Sequence, residues 1–451
     1  MCKNLLFYLQ YDKIKKTKDK IMAYNYKPSD SSGKEKMNLS TWSMQVTSSI
    51  NNIISLFAST FLVSFIVQTN QNAPLGQSLV SIALFYISQY AVVAFVYFIM
   101  GYLVDKSNRV WYYRLGILIK GLFIVLIIFL GEDLAKMAAL AGVVYGIAES
   151  CYWSSYNVMK CEIIPRMQAD NFVAINTLLN KFINIVFPIL IGLLIDISTF
   201  MSVAIYVLIL VAIQMVFSFF IKSQRPENSS FEFFKYLKNL RGDADGVKRI
   251  KRFYPIALCY GATTICTSIS SLLAIYTFKT NLNLGLFTAI FSVLSVMALI
   301  LFKKYTKIGL RKILYVILGV VPLIGALCVT INVEKWSYIA FYVSETVSLT
   351  VLAYALDVQR TIILKKTGHY SDIADHQTLT EVLFSFSRCV TFSIMLVLGL
   401  TLDVLGLRIL MIIVGLVFPL LAFFLHRMEK VEMNYPLKSK EICACLENSN
   451  N

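Results

Sequence analysis

The sequence predicts an all-α, polytopic membrane protein whose twelve transmembrane helices form two pseudo-symmetric six-helix bundles. Three observations carry this expectation. Of the 451 residues, 57% are hydrophobic and 15% charged, with a mean hydropathy of +0.67, far from soluble composition. Apolar runs of about 20 residues, the length that crosses a bilayer as a helix, recur along the chain. Basic residues collect in alternate loops.

The runs fall at roughly 46–68, 78–103, 111–130, 135–158, 171–195, 198–221, 253–278, 283–302, 311–331, 336–359, 378–402 and 404–425. Each suits a helix, because in lipid a spanning segment must satisfy its own backbone N–H and C=O groups. The loop 104–114 holds Lys106, Arg109 and Arg114, and 159–170 holds Lys160 and Arg166. Segment 222–252 holds nine basic residues, 303–312 five, and 360–377 Arg360, Lys365 and Lys366. The intervening loops TNQNAPLGQ (69–77), GED (131–133), DIS (196–198) and KTNLN (279–283) are nearly bare of them. This positive-inside alternation places a multi-pass protein in the cell membrane with both termini cytoplasmic. The net charge of +16 then reports topology, and no nucleic-acid partner is expected.

The first 40 residues are polar and rich in lysine, without the apolar core of a cleaved signal, so the first span is expected to direct insertion. Nine cysteines are scattered without metal-ligand spacing, and Cys443 and Cys445 fall in the expected cytoplasmic tail. The longest connection follows the sixth span. It sets the expected organisation: a polar tail (1–44), a first bundle (45–221), a central loop (222–252), a second bundle (253–427) and a second tail (428–451). Within the central loop FEFFKYLKNL reads as a short amphipathic helix at the membrane surface.

The two halves read as repeats. FPILIGLLID (187–196) and FSIMLVLGLTLD (392–403) align on their Gly-x-x-x-Asp endings, Gly192 over Gly399 and Asp196 over Asp403. That register sets Lys181 over Arg388, and a longer loop in the second half lets Glu149 correspond to Glu345. Two six-helix units related by an axis along the membrane normal are a recurring transporter plan.

Residues 101–116, GYLVDKSNRVWYYRLG, join the second and third spans. They resemble the signature loop of the major facilitator superfamily, Gly-x-Leu-x-Asp-Arg-x-Gly-Arg. Gly101, Leu103, Asp105 and Arg109 match, Lys106 keeps the charge, and Asn108 replaces the second glycine. KKYTKIGLRK (303–312) resembles a degenerate second copy without the acid. The resemblance covers about residues 45–425. It implies a secondary transporter whose bundles rock around a central site, with Asp105 engaging a helix end and a basic partner at the cytoplasmic face. The arginine common in the fourth span of proton-coupled members has no counterpart. Only Pro188 and Gly192 suggest the glycine-rich fifth-span motif of drug–proton antiporters, so motifs do not favour drug efflux over nutrient uptake.

Charges at bilayer depth cost about 2.5–3.5 kcal/mol each on insertion scales and face the bundle interior in partnership. Glu149, Lys181, Glu345 and Arg388 sit near the middle of their spans and sum to zero charge. Repeat symmetry pairs Glu149 with Lys181 and Glu345 with Arg388, or crosses the pairs. Such pairs either orient helices permanently or line a path that binds protons or substrate. Lys120, also central, has no counterpart in the second half. Gln89 is its expected neighbour, and Asn180 and Glu381 could extend the polar network. Glu149, Trp153 and Tyr156 or Asn157 recur at spacings of three and four and share a helix face. With Asn52 of the first span they form either a binding wall for an organic or cationic solute or plain helix packing.

The three histidines His369, His376 and His426 show no metal-ligand spacing, and no phosphate-cradling glycine loop is present. The chain is therefore expected to be no enzyme, to need no cofactor or metal, and to act as a monomer. The expected partners are the bilayer, a small-molecule substrate, and protons or another coupling ion. A transport-silent receptor or scaffold is the alternative, with tails short for a signalling module.

Overall fold

The computed structural model describes residues 39–70, 75–163, 169–222, 231–242, 245–278, 280–305, 311–332, 334–367 and 373–434. Most of the two expected tails and part of the central loop lie outside these residues. The bundle comprises α1 (Leu39–Thr69), α2 (Leu75–Lys106), α3 (Arg109–Leu130), α4 (Ala138–Ile163), α5 (Ala169–Ile197) and α6 (Phe200–Ser218). It continues with α7 in two pieces (Asp245–Ala262 and Thr264–Phe278), α8 (Asn281–Tyr305), α9 (Arg311–Ile331), α10 (Lys335–Thr367), α11 (Ile373–Thr401) and α12 (Asp403–Asn434). Among the described residues, eleven helices are long and apolar enough to cross a membrane. The remaining one, α4, is diluted by Glu149, Ser150, Ser154, Ser155 and Asn157, yet packs against α2 and α3 as the twelfth.

Several helices outrun their apolar runs. Helix α1 begins at Leu39 because Thr41, Gln45, Thr47 and Ser48 are buried against protein rather than lipid. The Gln214 side-chain amide, for example, donates to Thr47 O at 3.0 Å. Helix α1 widens into a π segment at Phe57–Phe61, where Phe57 and Phe65 stack on Phe200 of α6 at 4.9 and 4.2 Å. Asn108 caps α3, its side chain accepting from the Val110 N–H at 3.1 Å; this is the N-cap role an asparagine fills well.

Large apolar side chains of α3, α6, α9 and α12 point outward, among them Leu122, Phe129, Ile209, Val216, Val316, Ile324 and Phe423. These side chains belong to the lipid-facing rim, to which α5 and α8 also contribute, and apolar exposure there costs nothing. By contrast, 72% of the most apolar window of α1 and of α7 is buried, which puts those two at the centre. Where the halves meet, α2 packs on α11 and α5 on α8. Exchanging the first six helices for the last six converts one contact into the other, as a pseudo-twofold arrangement requires.

The bundle end holding the start of α1 and the end of α12 is the termini side; the other is the far side. At the far side the α5–α8 edge of the seam is closed. The Asp196 carboxylate at the end of α5 accepts from the backbone N–H groups of Asn281 (3.1 Å) and Leu282 (2.8 Å). An anion is favoured there by the N-terminal dipole of α8. The Ser64 hydroxyl of α1 donates to Asn281 Oδ1 at 2.5 Å. Helices α5 and α8 approach so closely that a Cβ on Gly192 would lie 2.3 Å from Asn281 O, and one on Gly285 2.1 Å from Pro188 O. Only glycine permits that approach.

At the termini side the amphipathic stretch of the central loop forms a helix, Phe233–Asn239. It docks on the bundle: Phe231, Phe233 and Phe234 cluster around Phe98 of α2, and the Tyr236 hydroxyl lies 3.0 Å from His376 Nδ1 of α11.

Candidate functional site

A cavity of about 390 Å³ lies on the seam between the halves. Its wall is built from Gln89, Tyr90, Val93 and Tyr97 of α2, Glu149, Trp153 and Asn157 of α4, and Gln377, Glu381 and Arg388 of α11. Helical spacing explains the three contributions. Residues 89, 93 and 97 recur every fourth position, as do 149, 153 and 157, so each helix turns one stripe inward. On α11 the intervals of four and seven do the same.

Glu149 is held within its own half. Its Oε1 lies 2.5 Å from Lys120 Nζ of α3, with side-chain exposures of 16% and 0%, and Trp153 Nε1 donates to Oε2 at 2.8 Å. Lys120 also donates to Asn51 Oδ1 of α1 and lies 4.3 Å from the centroid of the Tyr152 ring. The pairing expected from repeat symmetry, Glu149 with Lys181, is therefore corrected: the partner is Lys120. The reason is packing order. Helix α4 lies against α2 and α3, whereas α5 lies against α1 and α8. Lys181 is half-buried and makes no hydrogen bond or ion pair among the described residues.

The second expected pair is corrected too. Arg388 Nε donates to Thr264 Oγ1 at 3.0 Å, just past the break in α7. Its guanidinium lies 4.8 Å from the Tyr90 ring and 5.6 Å from the Phe384 ring. Arg388 thereby crosses the seam to α2 rather than meeting Glu345. Glu345 is 3% exposed. It accepts from the Ser270 hydroxyl at 2.8 Å and forms no salt bridge among the described residues.

Of the sequence-predicted path residues, the fold brings Glu149, Trp153, Asn157 and Arg388 to this cavity. Asn157 donates to the Tyr97 hydroxyl at 3.4 Å. Asn52 and Tyr156 lie elsewhere: Asn52 donates to Asn180 Oδ1 of α5, and the Tyr156 hydroxyl donates to Ser48 Oγ of α1 at 3.2 Å. Asn180 thus joins α1 to α5, while Glu381 lines the cavity. Tyr90, Tyr97 and Gln377 were not singled out from sequence. Their signal is helical spacing: Tyr90, Val93 and Tyr97 recur at three and four, and Gln377 precedes Glu381 by four.

The signature loop is ordered by short local bonds. Arg109 Nε donates to Val104 O at 3.1 Å, the Ser107 hydroxyl to Leu103 O at 2.7 Å, and Lys106 Nζ to the Tyr102 hydroxyl at 2.7 Å. Asp105 Oδ2 accepts from the Phe231 N–H at 3.0 Å, just ahead of the docked helix. Gly101 lets the Phe231 ring approach, since a Cβ there would lie 2.9 Å from it.

Residues 48–359 match the Major Facilitator Superfamily. Over 152 residues the chain is 26% identical to the uncharacterized protein YqgE of Bacillus subtilis (strain 168), spanning 33% of this chain and 35% of that one. The match thus spans about a third of that relative's length. The fold is shared with a point mutant of the nucleoside transporter NupG, at a TM-score of 0.64 and 14% identity over 87% of this chain and all of the other. It is shared also with a POT family transporter in complex with a thioalcohol-conjugated peptide, at a TM-score of 0.63 and 10% identity over 86% of this chain and 96% of the other. With the twelve-helix bundle, the repeated seam and the loop at 101–109 already established, the family match over more than half the chain settles membership: the protein belongs to the Major Facilitator Superfamily.

Proposed function

We propose that the protein is a secondary active transporter that moves a small organic solute across the cell membrane by alternating access. The observation that carries this reading is the cavity with charged walls on the seam of the two halves, with α5 and α8 locked together at the far side. Both termini and the 222–252 segment face the cytoplasm in this reading, so the arrangement is inward-facing. Opening requires α5 to leave α8 and α2 to leave α11 at the far side, with the reverse closure at the termini side. The docked Phe233–Asn239 helix touches both halves there and moves with that closure.

Transport is coupled to protons or another ion, and Glu345 is the candidate carrier. It is buried and held by one hydroxyl, and no described cation offsets it. Charge at such a site is costly. Glu149, neutralised by Lys120, serves to orient α3, α4 and the Trp153 side of the cavity. The test is solute flux into vesicles reconstituted with the purified protein, with and without an imposed pH gradient. Flux that the gradient accelerates supports the reading. A silent protein across a broad solute panel would instead make it a receptor or scaffold.

A further inference from the structure

The cavity carries an uneven set of charges. Glu149 is offset by Lys120 at 2.5 Å, so it offers no free negative charge to a cationic solute. Arg388 is different. It lines the cavity, its only described hydrogen bond is from Nε to Thr264, and no described carboxylate pairs with it. A guanidinium has five N–H donors and stays charged in any protein setting. One donor is engaged, leaving most of the fork for a solute. The guanidinium carbon lies 4.8 Å from the centre of the Tyr90 ring and 5.6 Å from that of Phe384, two rings that confine it. The planar fork of a guanidinium matches a carboxylate in two parallel hydrogen bonds. A charge at this depth is retained where a partner arrives to meet it.

Glu381 lines the same cavity seven residues before Arg388, two helical turns or about 10 Å along α11. Trp153, turned by its bond to Glu149, offers an apolar ring to the body of the solute.

Resting on the reading of this cavity as the transport site, we infer that its substrate bears a carboxylate, bound by the Arg388 guanidinium beside Tyr90. The reading of Glu149 as an anchor for cations falls away because Lys120 occupies it.

Two acids and their amides test this on the full-length protein in detergent: hexanoate against hexanamide, and L-leucine against L-leucinamide. Binding is read from tryptophan fluorescence and from ligand-induced thermal stabilisation. At least one acid should bind about tenfold or more tightly than its amide, the size of one charge-assisted hydrogen-bonded pair. Preference for hexanoate alone points to plain monocarboxylates, and for leucine to zwitterions. In Arg388→Gln the acid-to-amide ratio should fall to within about twofold, and Arg388→Lys, a point charge without the fork, should keep an intermediate ratio. Ligand-free melting of each variant, matched to wild type, shows that the change lies in recognition rather than folding. No preference for either acid, or the same preference in Arg388→Gln, overturns the inference. The assay needs no flux, so a protein that binds acids without moving them would overturn the transport reading alone. One that moves solutes indifferent to a carboxylate would overturn only this inference.

Discussion

Replacing Lys120 by Met strands Glu149. The lysine side chain is fully buried and its partner only 16% exposed, so the cavity that Glu149 lines can make up only part of what the ammonium gives it. Two unit charges about 4 Å apart attract by about 4 kcal/mol at an effective dielectric of 20, close to the several kcal/mol that each ion loses on leaving water. The pair therefore contributes little net stability, while breaking it from one side costs about 3–5 kcal/mol. Lys120→Met is expected at that level. Glu149→Gln should cost a similar amount: Lys120 keeps only Asn51, and the single amide oxygen cannot accept from both the ammonium and Trp153, so the amide NH2 faces one of these donors. The double variant removes both buried charges and should return to within about 1–2 kcal/mol of wild type, a coupling of at least about 2 kcal/mol. Thermal unfolding of the four purified proteins, run as a double-mutant cycle, measures this. Lys181→Met is the control: with no described partner, it should shift stability by no more than about 0.5 kcal/mol and show no coupling to Glu149→Gln. Additive losses at Lys120 and Glu149, or strong coupling at Lys181, would refute the assignment.

Three further outcomes follow from the same geometry. Gly285→Ala places a Cβ 2.1 Å from Pro188 O, so α5 and α8 must part. Overpacking of this kind costs about 1–3 kcal/mol, and a cysteine at Asn281 should react faster with an impermeant maleimide from the far side. Asp105→Ala removes the acceptor of the Phe231 N–H; amide exchange across Phe231–Asn239 should rise about tenfold, the value of one charged hydrogen bond, with less change in Asp105→Asn. Glu345→Gln keeps the Ser270 bond but carries no exchangeable carboxyl proton, so gradient-driven flux should vanish while solute exchange without a gradient persists; driven flux at the wild-type rate would release Glu345 from coupling.

The architecture was legible because lipid leaves the backbone few options. Apolar runs, loop charges and the 101–109 loop each point to one class. Helix lengths were less legible: Thr41 to Ser48 are polar, but protein rather than lipid surrounds them, so α1 extends past its apolar run. The pairing of charges misled for a physical reason. Duplication suggested that an acid in the fourth span meets a base in the fifth, but neighbours are decided by which helices touch. Lys120 stands at mid-span in α3, directly before α4 in the chain, and sequential helices are the commonest neighbours. Because it lacks a counterpart in the second half, symmetry hid it. Arg388 and Glu345, by contrast, could not have been separated without knowing that α7 breaks at Thr263 and presents Thr264 to the guanidinium.

Alternating access around the α2–α4–α11 cavity is tested most directly by one cysteine in its wall. Val93 lines the cavity and is small and apolar, so Val93→Cys, in a chain whose nine native cysteines are replaced, leaves its charges intact. A membrane-impermeant maleimide is applied to one side and then the other of oriented vesicles. The account predicts rapid reaction from the termini side and slower, measurable reaction from the far side, with Gly285→Ala shifting the balance toward the far side. Reaction from one side only, unchanged by Gly285→Ala, would contradict it.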